Sequence, residues 1–127
     1  MARFFWVCVG GAVGTGARYL LSGWVLSRLG SSFPYGTLAV NVTGSFLLGA
    51  LMHVSLASGL VSPALRAVLG IGVMGGFTTY STFNYETLEY FREGAWLLGV
   101  ANAGVTVISC LIAGTLGLGL SRALSGH

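Results

Sequence analysis

The chain has 127 residues, 54% of them hydrophobic and only 7% charged, with a net charge of +3; water-soluble domains carry roughly 25% charged residues, so the composition implies one integral membrane domain. The charges are six Arg and three Glu, with no Lys and no Asp, and scattered single arginines offer no basic cluster to track a phosphate backbone, which sets nucleic acid aside as a partner. No nucleophile, base and orienting group stand at an informative spacing, so an enzyme is set aside as well.

Four apolar segments, residues 4–28, 34–59, 63–91 and 95–121, each exceed the ~20 residues that cross a bilayer as helix. They predict an all-α membrane fold of four transmembrane helices in a single domain. The first segment runs past the length of a signal-peptide core and contains Arg18, so it is expected to be a span. Arg18 lies deep in that span, where it snorkels, pairs with a carbonyl or with Glu86, or lends positive charge to a vestibule. Gly10 and Gly14 are spaced for close helix contact, as are Gly72 and Gly76, although 21 glycines make chance spacing a competitor. Cys8 and Cys110 lie in separate spans without metal-ligand spacing and read as small core residues. Phe5, Trp6, Trp24 and Trp96 read as core or interfacial belt.

Gly30-Ser31-Ser32 precedes Pro34, and Ser62 precedes Pro63, so both prolines sit where a first helical turn accepts them. The second helix carries Thr37, Asn41 and Ser45 at four-residue steps, a polar row that should point away from lipid. For Asn41 two roles stay open: lining a pathway, or bonding a neighbouring helix. Asn41-Val42-Thr43 matches a glycosylation acceptor but lies deep within the span, where it is intramembrane polarity. His53 further along reads as structural.

The third segment holds the least lipid-like run of the chain, Gly75-Gly76-Phe77-Thr78-Thr79-Tyr80-Ser81-Thr82-Phe83-Asn84. Adjacent glycines loosen a helix and the hydroxyls that follow bond freed backbone groups, which predicts a break near 75–79. A broken helix at membrane depth is tolerated where it is buried in protein or lines a wet cavity, so the run is a candidate ion or solute site. Beyond the break Thr79, Thr82 and Glu86 share one face, with Tyr80, Phe83 and Thr87 on the adjacent one. A carboxylate in hydrocarbon costs at least ~2.5–3.5 kcal/mol, so Glu86 either faces a pore or a cation, or belongs to a solvated helix end. The edges of Tyr80 and Phe83 suit a small anion, whereas ring faces and carbonyls suit a cation; the residues alone leave the sign of the ion open. Gly70-Ile71-Gly72-Val73-Met74-Gly75 matches a dinucleotide-binding glycine pattern but lacks the strand and the acidic ribose contact. On the fourth helix Asn102, Thr106 and Ser109 form a weaker polar row that packing explains as well as pore lining does.

With four spans, Arg3, Arg66 and Arg122 fall on one side and Arg28 and Arg92 on the other. Such a small bias is compatible with termini held in the cytoplasm, or with dual insertion, in which copies face both ways and pair as an antiparallel dimer. Four helices are thin material for a closed pathway, so oligomerisation is expected in either case.

These residues together resemble the small bacterial fluoride channels, the Fluc or CrcB family. The resemblance rests on Gly10-Gly11-Ala12-Val13-Gly14 with Arg18, on Gly36-Thr37-Leu38-Ala39-Val40-Asn41 with Gly44-Ser45-Phe46, and on Gly75 to Phe83 with Glu86. It implies a dual-topology antiparallel homodimer in the bacterial inner membrane, with two fluoride pores and a structural sodium ion at the dimer centre. By the family pattern Gly75 and Thr78 supply sodium ligands through backbone carbonyls, Asn41 is the pore amide donor, and positions 80 and 83 are the two rings whose edges contact fluoride. Ser81, Thr82 and Glu86 resemble the polar residues along the pathway. The first ring position is usually Phe in the family and is Tyr80 here. The expected activity is passive, fluoride-selective export that protects the cell against fluoride toxicity. The alternatives are a proton-coupled small multidrug-type transporter, whose first-helix acidic residue is missing here, and a non-catalytic subunit of a membrane complex.

Overall fold

The computed structural model describes residues 1–126, and the described residues are helical almost throughout. Helix α1 spans Ala2–Leu29, α2 Tyr35–Ala57, α3 Pro63–Ala67, α4 Gly75–Phe77, α5 Tyr80–Arg92 and α6 Trp96–Ser125, with a π-helical stretch, Val68–Met74, joining α3 to α4. Three of these, α1, α2 and α6, are long and apolar enough to cross a membrane, and only 11–17% of their most apolar stretches is buried within the chain. Large apolar side chains such as Leu97, Leu111 and Leu116 face outward instead. The most completely buried side chains are Val40, Asn102 and Ser55, two of them polar. This is the inverse of a water-soluble core, as expected where lipid is the solvent and small or polar residues hold helices together.

Local chemistry sets the helix ends. Gly30, at φ 80°, closes α1 with its N–H on the Leu26 carbonyl. The Ser62 hydroxyl accepts from Leu65 N–H, and Pro63 in the first turn of α3 has no N–H to leave unpaired. Gly94, at φ 76°, turns the chain from α5 into α6. Arg66 lies across the end of α2, donating from Nε to the Ser55 hydroxyl at 3.1 Å and from Nη2 to the Ser55 carbonyl at 3.2 Å. His53 contacts the Ser125 hydroxyl at 3.3 Å, a structural link between the ends of α2 and α6.

Two expectations need correction. Gly75 and Gly76 do not loosen the chain, because both are helical within α4. Their neighbourhood explains why Gly76 is glycine: a Cβ there would meet the Gly11 carbonyl and Thr15 of α1. Gly10, Gly14, Gly72 and Gly76 meet along one seam, where a Cβ on Gly72 would lie 2.7 Å from the Val7 carbonyl and one on Gly10 2.8 Å from that of Val68. The non-helical residues are Thr78 (φ −89°, ψ 159°) and Thr79 (φ −149°, ψ 110°), both extended. Cys8 is exposed on α1 and not part of the core; a thiol is apolar enough to face the outside of such a helix.

Candidate functional site

The extended pair Thr78 and Thr79 is the centre of the site, and three elements hold it in place. Asn41, on α2 and almost fully buried, clamps Thr79 at both backbone groups: its Oδ1 accepts the Thr79 N–H at 2.8 Å and its Nδ2 donates to the Thr79 carbonyl at 3.0 Å. Thr79 then caps α5, its hydroxyl accepting the Thr82 N–H at 3.2 Å and donating to Thr82 Oγ1 at 3.0 Å. Arg18, on α1, donates from Nε to the Gly76 carbonyl at 2.9 Å. Arg18 thus pairs with a carbonyl, one of the roles open to it, and not with Glu86. Gly44 on α2 makes room for the approach, since a Cβ there would collide with the Thr78 methyl group.

This bonding frees specific acceptors. In a continuous helix the N–H of Thr79 would go to the Gly75 carbonyl and that of Thr82 to the Thr78 carbonyl. Here the first goes to Asn41 and the second to the Thr79 hydroxyl. The carbonyls of Gly75 and Thr78 thereby lose their helical donors, while the Gly76 carbonyl between them is taken by Arg18. Two neutral oxygens near a chain break are the kind of donor a hard monovalent cation accepts. No cluster of three or more His, Cys, Asp or Glu side chains stands among the described residues.

The residues beyond the extended pair divide by direction. Phe83 is buried, while Tyr80 is 78% exposed on the outside of the chain. Their rings still touch edge to face, with centroids 5.8 Å apart and planes at 66°. Ser81 is exposed and Thr82 half-buried. Glu86 is half-buried, and its Oε1 is buried with no hydrogen-bond partner. It faces a groove of about 640 Å³ between α1, α2 and α5, shared with Thr37, Tyr35, Tyr85 and Tyr90. Glu89 is at the same mouth but is bonded to Arg92, the one ion pair among the described residues.

Of the candidate residues, then, Asn41, Arg18, Gly75 and Thr78 converge on the extended pair, and Phe83, Thr82 and Glu86 line up behind it on α5. Tyr80 and Ser81 point outward from the single chain. Thr79, which receives both Asn41 bonds and caps α5, stood on the polar face in the sequence but not among the candidates. Its signal was the Thr-x-x-Thr spacing to Thr82, a hydroxyl placed as an N-cap.

The sequence profile of the family described as "CrcB-like protein, Camphor Resistance (CrcB)" matches residues 5–118. Among similar curated proteins, the "Fluoride-specific ion channel FluC" of Sorangium cellulosum is 54% identical, covering 98% of this chain and 98% of that protein. That of Anaeromyxobacter dehalogenans is 53% identical over 99% of this chain and the whole of its own length. That of Geotalea uraniireducens is 47% identical over 98% of this chain and, again, its own whole length.

Proposed function

The chain belongs to the CrcB family, and on that premise we propose that it is a fluoride-selective ion channel of the bacterial inner membrane, which lets fluoride leave the cell passively. The observation that carries this to the chain's own residues is the extended Thr78–Thr79 pair clamped by Asn41. The Asn41 amide meets this pair, and the Thr79 and Thr82 hydroxyls and the rings of Tyr80 and Phe83 follow it along the start of α5, which supports a path built from neutral groups. A fluoride ion sheds water reluctantly, so its path must offer several hydrogen-bond donors at once, yet a fixed positive charge would hold it too tightly to conduct. Asn41 has one amide hydrogen beyond the one given to Thr79. Thr82 and Ser81 supply hydroxyls, and the rings of Tyr80 and Phe83 supply positive edges. Arg18, whose Nε is committed to the Gly76 carbonyl, contributes positive potential near the path while staying anchored.

In this reading Pro63–Arg92 makes the fourth crossing, and two copies pair in opposite orientations as an antiparallel homodimer with two pores. Support comes from the outward direction of Tyr80, Ser81 and Gly75, which leaves one wall of a path missing from a single chain, and from the nearly balanced arginines. A structural sodium ion belongs at the dimer centre. The freed carbonyls of Gly75 and Thr78 fit it, and two copies would provide four such oxygens. When bound, the ion supplies fixed positive charge that ties the broken segments together; the residues themselves set the oxygens in place through Asn41, Thr79 and Arg18.

The test is direct. Purified protein in liposomes loaded with potassium fluoride or potassium chloride should release fluoride and retain chloride once a potassium ionophore is added. Equal release of both anions would end the proposal.

A further inference from the structure

Behind Phe83 lies a polar chain that the pathway residues do not account for. Thr87, Asn102 and Thr106 are all buried, Asn102 to 1% exposure, and they are linked in series across the α5–α6 contact. Thr106 Oγ1 donates to Asn102 Oδ1 at 3.4 Å, Asn102 Nδ2 donates to Thr87 Oγ1 at 2.9 Å, and Thr87 Oγ1 donates to the Phe83 carbonyl at 2.8 Å. The directions are fixed. The Asn102 Nδ2 group can only donate, so Thr87 Oγ1 accepts from it through a lone pair and gives its single hydrogen to the Phe83 carbonyl.

The position of this relay gives it a role. The α5–α6 hairpin turns at Gly94, and Phe91 seats against Gly99 one turn above, so Asn102 is the first polar tether on the way down toward the pathway. A threonine hydroxyl bonded back to the carbonyl four residues earlier bends a helix. Thr87 does so to Phe83, the residue whose ring meets Tyr80. We infer that Asn102 is a positioning residue for fluoride conduction, acting through Thr87 to fix the course of α5 at the Phe83 carbonyl and with it the placement of the Phe83 ring. This rests on the fluoride-channel reading above and adds to it a residue on α6 that touches neither the anion nor the cation.

The test is a double-mutant cycle on full-length protein in liposomes, reading fluoride efflux and the fluoride-to-chloride ratio. Asn102→Leu and Thr87→Val should each lower fluoride flux about three- to tenfold, the range one lost neutral hydrogen bond supports, and should narrow the ratio. The double variant should be no slower than either single one, because both break the same relay. Thr87→Ser, which keeps the hydroxyl, should retain wild-type flux and ratio. Effects that multiply in the double variant would mean Asn102 acts independently of Thr87 and overturn the inference; so would a Thr87→Ser variant as slow as Thr87→Val. If Asn102→Leu does not yield a monodisperse protein, Asn102→Ala, which removes the same donor without adding bulk, takes its place in the cycle with the same expected and overturning outcomes. A wild type that carries no fluoride defeats the channel reading, and this one with it; a conducting wild type with unaffected variants defeats this one only.

Discussion

Replacing Asn41 with Leu removes both bonds that hold the extended pair while keeping the volume of the side chain nearly constant. The Thr79 N–H and carbonyl, now bonded at 2.8 and 3.0 Å, would then face a buried apolar group. Leaving a buried donor or acceptor unpaired costs about 1–3 kcal/mol, so two such groups put the loss at about 2–6 kcal/mol. Water reaching the site, or another partner in the membrane, moves the figure toward the lower end. Even 2 kcal/mol shifts an equilibrium by roughly thirtyfold, since about 1.4 kcal/mol is a factor of ten. The released Thr79 N–H would be drawn to the Gly75 carbonyl, restoring a continuous helix and removing one of the freed oxygens. The variant should therefore unfold at a lower temperature in detergent and lose at least nine-tenths of its fluoride flux. Asn41→Asp keeps the acceptor for Thr79 N–H but turns the donor into a carboxylate oxygen, whose charge costs at least ~2.5–3.5 kcal/mol within the membrane and repels an anion, so it should conduct no better than Asn41→Leu. An Asn41→Leu protein with the wild-type thermal midpoint and no flux would refute the clamp and leave Asn41 as a pore donor alone.

Gly14→Ala should reduce monodisperse yield sharply: its Cβ would overlap the Val73 carbonyl and lie 2.9 Å from Phe77 N, and overpacking against backbone typically costs ~1–3 kcal/mol; an unchanged elution profile and yield would contradict the seam described above. Tyr80→Phe should preserve the fluoride-to-chloride ratio, because the ring edge is kept and the phenol bonds nothing within the described chain; a collapse of the ratio in the liposome assay would show that the phenol is a ligand. Replacing sodium by a large organic cation throughout purification and assay should lower both thermal midpoint and flux, with recovery on adding sodium back; indifference of both readouts would argue against a cation on the Gly75 and Thr78 carbonyls.

Much of this architecture is legible in the chain because length and composition decide it. Long apolar runs bounded by Gly30, Pro34 and Ser62-Pro63 can only be helices in lipid, and α1, α2 and α6 follow from that. The π-wound stretch Val68–Met74 has no such signature, since its residues suit an α-helix equally well; in the fold it packs against the glycine seam of α1. The same limit applies to Gly75 and Gly76: conformational freedom and the need for close approach both select glycine, and only the position of α1 separates them. For Asn41 the polar row indicated a face, but its partner is a backbone 38 positions away. A polar side chain announces that it must be bonded, and the fold alone names the group. Asn102 repeats the point, since a row that packing or pore lining explains equally well proves to be a relay ending on Phe83.

The groups gathered at the extended pair are mostly neutral. The deep cation of the chain, Arg18, has its Nε on a carbonyl, and the clamp on the extended pair comes from an uncharged amide. What this leaves over is a pair of carbonyls on one side of the break and hydroxyls with ring edges on the other. Unpaired carbonyls facing hydrocarbon cost several kcal/mol each, so a lone chain embedded in lipid would be strained at Gly75 and Thr78 and drawn back toward a continuous helix. Tyr80, 78% exposed beside them, is equally unsuited to remain a bare surface next to a polar break. In the dimer proposed above, both would be relieved by one event, the docking of a second copy that shares a cation across the carbonyls and closes a wall over the rings. On that proposal pairing and conduction rest on the same extended residues, Thr78 and Thr79, because the conformation that takes the helical donors from the Gly75 and Thr78 carbonyls is also the one that starts α5 at Tyr80, with its hydroxyls and rings.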